Sequence, residues 1–89
     1  MDHSVKITFV SGYRIKIKDT TALTVYRKNP EAELGLEIIF KGYLNNIADA
    51  NAFYLKVAGL LAEADWFTVN ADTLGTMFST TTILHLEYR

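Results

Sequence analysis

The chain contains no cysteine and one proline, and its five glycines stand apart at positions 12, 35, 42, 59 and 75. Without cysteine there is neither a disulfide frame nor a thiolate metal site. Small secreted domains usually rely on disulfides, so a reducing cytoplasm is the expected location. Scattered glycines cannot form a dinucleotide fingerprint or a P-loop, both of which need several at close spacing. No apolar stretch approaches the roughly 20 residues a membrane helix requires. The N-terminus enters a strand by about Val5, without the basic segment and apolar run of a signal peptide.

The two signs of charge nearly balance. The formal net charge is −1, which excludes a strongly basic nucleic-acid binder on bulk electrostatics. Only His3 and His85 could offer imidazole, and no pair of histidines has the i, i+4 spacing of a helical metal site. Ser4, Ser11 and Ser79 fall in strand ends or turns without a His-plus-carboxylate pattern. Glu31 and Glu33 suit a helix start, and Asp49 and Glu63 suit a solvent-facing stripe. No catalytic group, cofactor, metal or small-molecule ligand is implied.

What is present is order. Hydrophobic residues make up 49% of the 89 positions, enough for one small core and too few positions for two. Val5, Ile7 and Phe9 alternate with Lys6 and Thr8; after a turn, Tyr13, Ile15 and Ile17 alternate with Arg14, Lys16 and Lys18. Successive strand side chains point to opposite faces, so one side of this ribbon is apolar and the other cationic. A three-residue loop, Val10-Ser11-Gly12, pairs Phe9 with Tyr13, Ile7 with Ile15 and Val5 with Ile17, and puts Gly12 at the left-handed position.

The pattern continues as an antiparallel meander. The first two strands span about Ser4–Phe9 and Tyr13–Lys18, and a third is expected near Ala22–Arg27, with Ile17 opposing Leu23 and Ile15 opposing Val25. Lys28 to Gly35 read as a loop with one helical turn, capped by Asn29 and ended by Gly35. The fourth strand, about Leu36–Lys41, would place Leu36, Ile38 and Phe40 inward. The one long helix is expected over about Asn46–Ala64 with Asn46 as N-cap. Ile47, Ala50, Tyr54, Val57, Ala58, Leu61 and Ala64 would form its apolar face. A fifth strand follows at Asp65–Val69, then a turn over Asn70–Thr73. Leu74–Thr80 fits either a short strand or an ordered loop. The last strand, Thr81–Tyr88, carries Leu84, Leu86 and Tyr88 on one face. The fold class is α+β: about four meander strands, a helix across their apolar face, and one or two C-terminal strands, in one domain over residues 1–89.

Two surfaces offer themselves as binding sites. Phe53, Leu55 and Leu60 lie at the edges of the helix's apolar arc, which is wider than one sheet contact needs. They form a candidate protein interface, most economically of a two-fold homodimer. The second surface is the outer face of the sheet. Residues 6–28 hold six cationic groups against Asp19, whereas five carboxylates face Lys56 and Arg89 beyond residue 42. Lys6, Arg14, Lys16 and Lys18, with Tyr26 interleaved, would make a small platform for nucleic acid. Glu37 would sit opposite Tyr26 and dilute it. The expectation is therefore a non-catalytic accessory protein, self-associating or binding a protein partner, of the compact kind common in bacteria and prophages. The alternative is a nucleic-acid accessory protein.

Overall fold

The alternation in the first 18 residues produces the hairpin it predicts. In the computed structural model, which describes residues 3–70 and 76–88, β1 (Ser4–Phe9) and β2 (Arg14–Lys18) are antiparallel. Val5 faces Ile17, Ile7 faces Ile15 and Lys6 faces Lys16. The Phe9 amide donates to the Tyr13 carbonyl at 2.9 Å, and the Gly12 amide donates to the Phe9 carbonyl at 2.8 Å. Gly12 has φ +91°, which glycine adopts without the steric cost a Cβ would bring.

β3 (Leu23–Lys28), β4 (Leu36–Gly42), α1 (Ala50–Glu63), β5 (Trp66–Val69), β6 (Phe78–Ser79) and β7 (Ile83–Tyr88) complete the chain. The architecture is α+β, with antiparallel sheets, one helix and C-terminal strands. The pairing differs from a single meander. The strands form two sheets, ordered β2-β1-β7 and β4-β3-β5-β6, so β2 and β3 are not neighbours. Leu23 pairs with Val69 and Val25 with Phe67, in place of Ile17 and Ile15. Burial gives the reason. Leu23, Thr24 and Val25 are all buried, as a central strand demands, while Arg14, Lys16 and Lys18 keep β2 exposed at a rim.

Two bulges reset the side-chain phase. Val25 pairs with Phe40 but Tyr26 pairs with Ile38, leaving Ile39 as an extra residue in β4. Ile39 and Phe40 both pack on the core, and Ile38, expected inside, is 53% exposed. Glu37 consequently meets Arg27, not Tyr26, in an exposed ion pair of 3.0 Å. In β7, Thr8 pairs with His85 and Phe9 with Ile83, so Leu84 is the extra residue. Ile83 and Leu86 turn inward while Leu84 faces solvent. A bulge moves every later side chain to the other face, and strict alternation cannot foresee that. The Asn29–Gly35 loop also differs: it holds two successive turns, closed by Ala32 to Asn29 and Gly35 to Ala32 bonds of 3.0 Å each. Asn29 Oδ1 still accepts from the Glu31 amide.

Helix α1 is shorter than its apolar run suggested. Asp49, not Asn46, is the N-cap, its carboxylate accepting from the Ala52 amide at 2.8 Å. Residues 44–48 are held otherwise: Leu44 is buried, Ile47 packs on the core, and the Ala48 carbonyl is bonded by His3. The helix fills the interior shared by both sheets. Phe53, Val57 and Leu61 meet Val5, Ile7, Phe9 and Ile17 from one sheet and Leu23, Val25 and Phe67 from the other. Gly59 lies on the opposite, exposed side, where an added Cβ meets nothing within 4 Å. Glycine in an exposed helix interior is about 1 kcal/mol less favourable than alanine. Gly59→Ala is therefore expected to raise stability by about 0.5–1 kcal/mol, read as a higher urea midpoint at unchanged m-value.

The turn expected over Asn70–Thr73 and the start of the Leu74–Thr80 segment fall largely on positions 71–75, outside the described residues. Of the remainder, Phe78–Ser79 form β6. Its junction with the helix is closed by Thr80, whose hydroxyl donates to the Ala64 carbonyl at 2.7 Å.

Candidate protein interface

The helix places its three edge residues differently from one another. Phe53 is fully buried and stacks on the His3 ring at 5.3 Å between centroids, so it belongs to the core and not to a surface. Leu60 is half-buried and packs on the core. Leu55 alone is free, at 57% exposure. Tyr54 explains the rotation of the buried face. Its hydroxyl needs a polar partner, so it sits at the rim and donates to the Leu86 carbonyl at 3.5 Å. Phe53, with no polar atom, takes the centre.

A larger apolar surface lies at the end of the molecule where the first hairpin turns. Phe9 stacks on Phe78 at 5.1 Å, and Tyr13 stacks on Phe78 at 6.1 Å. Phe67 completes the cluster behind them, 5.3 Å from Phe78. Around it, Val10 is 65% exposed, Tyr13 59% and Met77 41%. Between these projecting side chains runs a cleft of about 410 Å³, lined by Phe9, Trp66 and Phe78 among others. Sequence reasoning missed this surface because β6 comes from a segment without clear periodicity. Phe78 could have been a signal, as an aromatic isolated among Thr, Ser and Met.

The cationic residues fall partly as expected. Lys6, Lys16, Arg14 and Lys18 share the outer face of the first sheet, where Lys6 pairs with Lys16, Thr8 with Arg14 and Ser4 with Lys18. Tyr26 does not join them, because β3 belongs to the other sheet, where Tyr26 pairs with Ile38 and Trp66. Its expected row with Arg14 is replaced by His85 beside Thr8, and Glu87 stands opposite Lys6. His85 Nε2 lies 3.1 Å from Glu87 Oε1. Positive charge is thus concentrated toward the β2 rim and partly balanced toward β7.

His3, expected on a frayed terminus, is buried at 1% exposure. Its Nε2 donates to the Ala48 carbonyl at 2.9 Å, and its Nδ1 lies 2.8 Å from the Tyr88 hydroxyl. A carbonyl can only accept, so Nε2 carries the proton, and in the neutral ring Nδ1 accepts from Tyr88. The sequence signal was available: His3 continues the inward phase of Val5, Ile7 and Phe9.

Among the described residues, no three His, Cys, Asp or Glu side chains are grouped to hold a metal ion. No helix among them is long and apolar enough to cross a membrane. No protein-family model matches the chain, and neither a curated protein nor a solved structure matches it.

Proposed function

We propose that this protein is a non-catalytic, cytoplasmic accessory module of bacterial or prophage type that works through protein contacts, first of all with a second copy of itself. The exposed aromatic end carries this reading. Val10, Tyr13 and Met77 project beside an apolar cleft on the same surface, so knob and hole occur together. A two-fold contact can then seat Val10 of each protomer in the other's cleft, the self-complementary arrangement a symmetric dimer requires. Such a contact also removes large apolar side chains from water, which is favourable at roughly 25 cal/mol per Å².

Sedimentation equilibrium between 5 and 500 µM tests the reading. A dimer is expected, and Val10→Asp should weaken it at least tenfold, whereas Leu55→Asp should leave it unchanged. A strict monomer throughout that range removes self-association. A second reading, contact with nucleic acid, draws on the four cations sharing one face and is weakened by the displacement of Tyr26.

A further inference from the structure

The outer face of the second sheet carries two neighbouring aromatic rings. Tyr26 of β3 pairs with Ile38 of β4 on one side and with Trp66 of β5 on the other. Val25 and Phe67, the residues next to them in their strands, are buried in the core, so alternation turns Tyr26 and Trp66 outward. β3 and β5 are the inner strands of the order β4-β3-β5-β6, which sets the pair at the middle of the sheet. Both residues are half-buried, and Ile38 beside them is 53% exposed. Phe9, Tyr13, Phe67 and Phe78 stack on one another, and neither Tyr26 nor Trp66 takes part in that cluster. Tyr26, absent from the cationic face of the first sheet, thus meets a second ring here.

The free charge on this face has one sign. Lys28 follows Tyr26 at two-residue spacing, and Lys41 pairs with Thr24 two residues before it, so both share the outward phase. Both are exposed, and among the described residues neither forms an ion pair. At about 3.3 Å per residue, they bracket the rings over about 13 Å of β3. The nearby carboxylates are engaged, Glu37 with Arg27 at 3.0 Å and Asp65 with the Lys28 amide at 2.7 Å. Adjacent aromatic rings on the face of an antiparallel sheet offer unpaired bases a surface to stack on, while flanking cations neutralise the phosphates.

We propose that this face binds a short run of single-stranded nucleic acid, with successive bases on Tyr26 and Trp66 and phosphates at Lys28 and Lys41. The proposal moves nucleic-acid contact away from the first sheet and is independent of the protein-contact reading.

The chain holds a single tryptophan, so indole emission reports on this face. Titration with an octathymidylate at low salt is expected to quench that emission saturably. An abasic octamer of equal charge should bind at least tenfold more weakly, because it has no base to stack. An octauridylate run alongside shows whether the 2′-hydroxyl matters, and quenching by either oligomer supports the site. Tyr26→Ala should weaken binding at least tenfold, while Tyr26→Phe, which keeps the ring, stays within threefold. Lys41→Glu, at an exposed position, should weaken it at least threefold, whereas Lys16→Glu on the first sheet leaves it unchanged. Affinity should fall with salt at a log–log slope of about −1.4, about 0.7 for each of two phosphates. Absence of quenching by both oligomers, equal binding of the abasic octamer, or equal losses in Lys16→Glu and Lys41→Glu would overturn the proposal. Trp66 also borders the cleft of the proposed self-contact, so the titration is repeated on Val10→Asp, where binding is expected to persist. A strict monomer in sedimentation would leave this result standing, and a failed titration would leave self-association standing.

Discussion

Phe53→Ala is expected to lower the unfolding free energy by about 3–5 kcal/mol, the range found when a large aromatic is removed from a packed core. The side chain is fully buried where both sheets and the helix meet, so the surrounding groups cannot collapse into the space without moving a sheet. It also supports the His3 ring, which would lose its stacking partner. A domain of this size is stable by roughly 4–13 kcal/mol in total, so the loss is a large share of the whole. Leu55→Ala, two residues away and exposed, should stay within about 0.5 kcal/mol of the parent. Urea denaturation of the pair reads the difference directly. Similar midpoints for both would mean that Phe53 is not the residue facing inward.

His3→Ala is expected to cost about 2–4 kcal/mol, a large effect for the third residue of a chain. Three losses combine. The Ala48 carbonyl loses its donor, the Tyr88 hydroxyl loses its partner, and a ring leaves the face of Phe53. Ala48 and Tyr88 are themselves exposed, so water takes over part of the lost bonding, and most of the cost is the cavity left by a ring that is 1% exposed. Tyr88→Phe removes only the hydroxyl and should cost about 0.5–1.5 kcal/mol. In the double variant the two effects should not add, because they share one hydrogen bond. Loss of less than 0.5 kcal/mol in His3→Ala would show that the N-terminal segment is not anchored.

The parts of the fold that were legible in the sequence depend on neighbours along the chain. The Phe9–Tyr13 closure, the Ile7–Ile15 pair and the positive φ of Gly12 follow from alternation and turn chemistry over a dozen residues. The helix's existence and its Val57 and Leu61 contacts follow from apolar spacing. What escaped depends on distant partners. His3 bonds to Tyr88 across 85 positions, and no local pattern announces such a contact. The choice of β5 over β2 as the neighbour of β3 is likewise set by where Phe67 can join Phe9 and Phe78. The extra residues Ile39 and Leu84 inverted the phase of their strands, which misplaced Ile38 and the apolar face of β7. That Lys6, Arg14, Lys16 and Lys18 share one face was legible because they lie within the alternating hairpin. Tyr26 lies apart from them because β3 belongs to the other sheet, and the aromatic cleft escapes local patterns because three separate elements build it.

The extra residue in β4 has a consequence for assembly. β4 is a seven-residue rim strand, and two copies could line up head to tail with each Glu37 beside the other's Lys41, an arrangement that charge alone would welcome. Ile39 prevents it. Because that residue inverts the pleat, the same alignment would oppose Ile38 from the wet side of one protomer to Phe40 from the oily side of its mate. One surplus isoleucine thus denies this rim a matching template, and pairing of two copies through it is disfavoured by geometry rather than by repulsion.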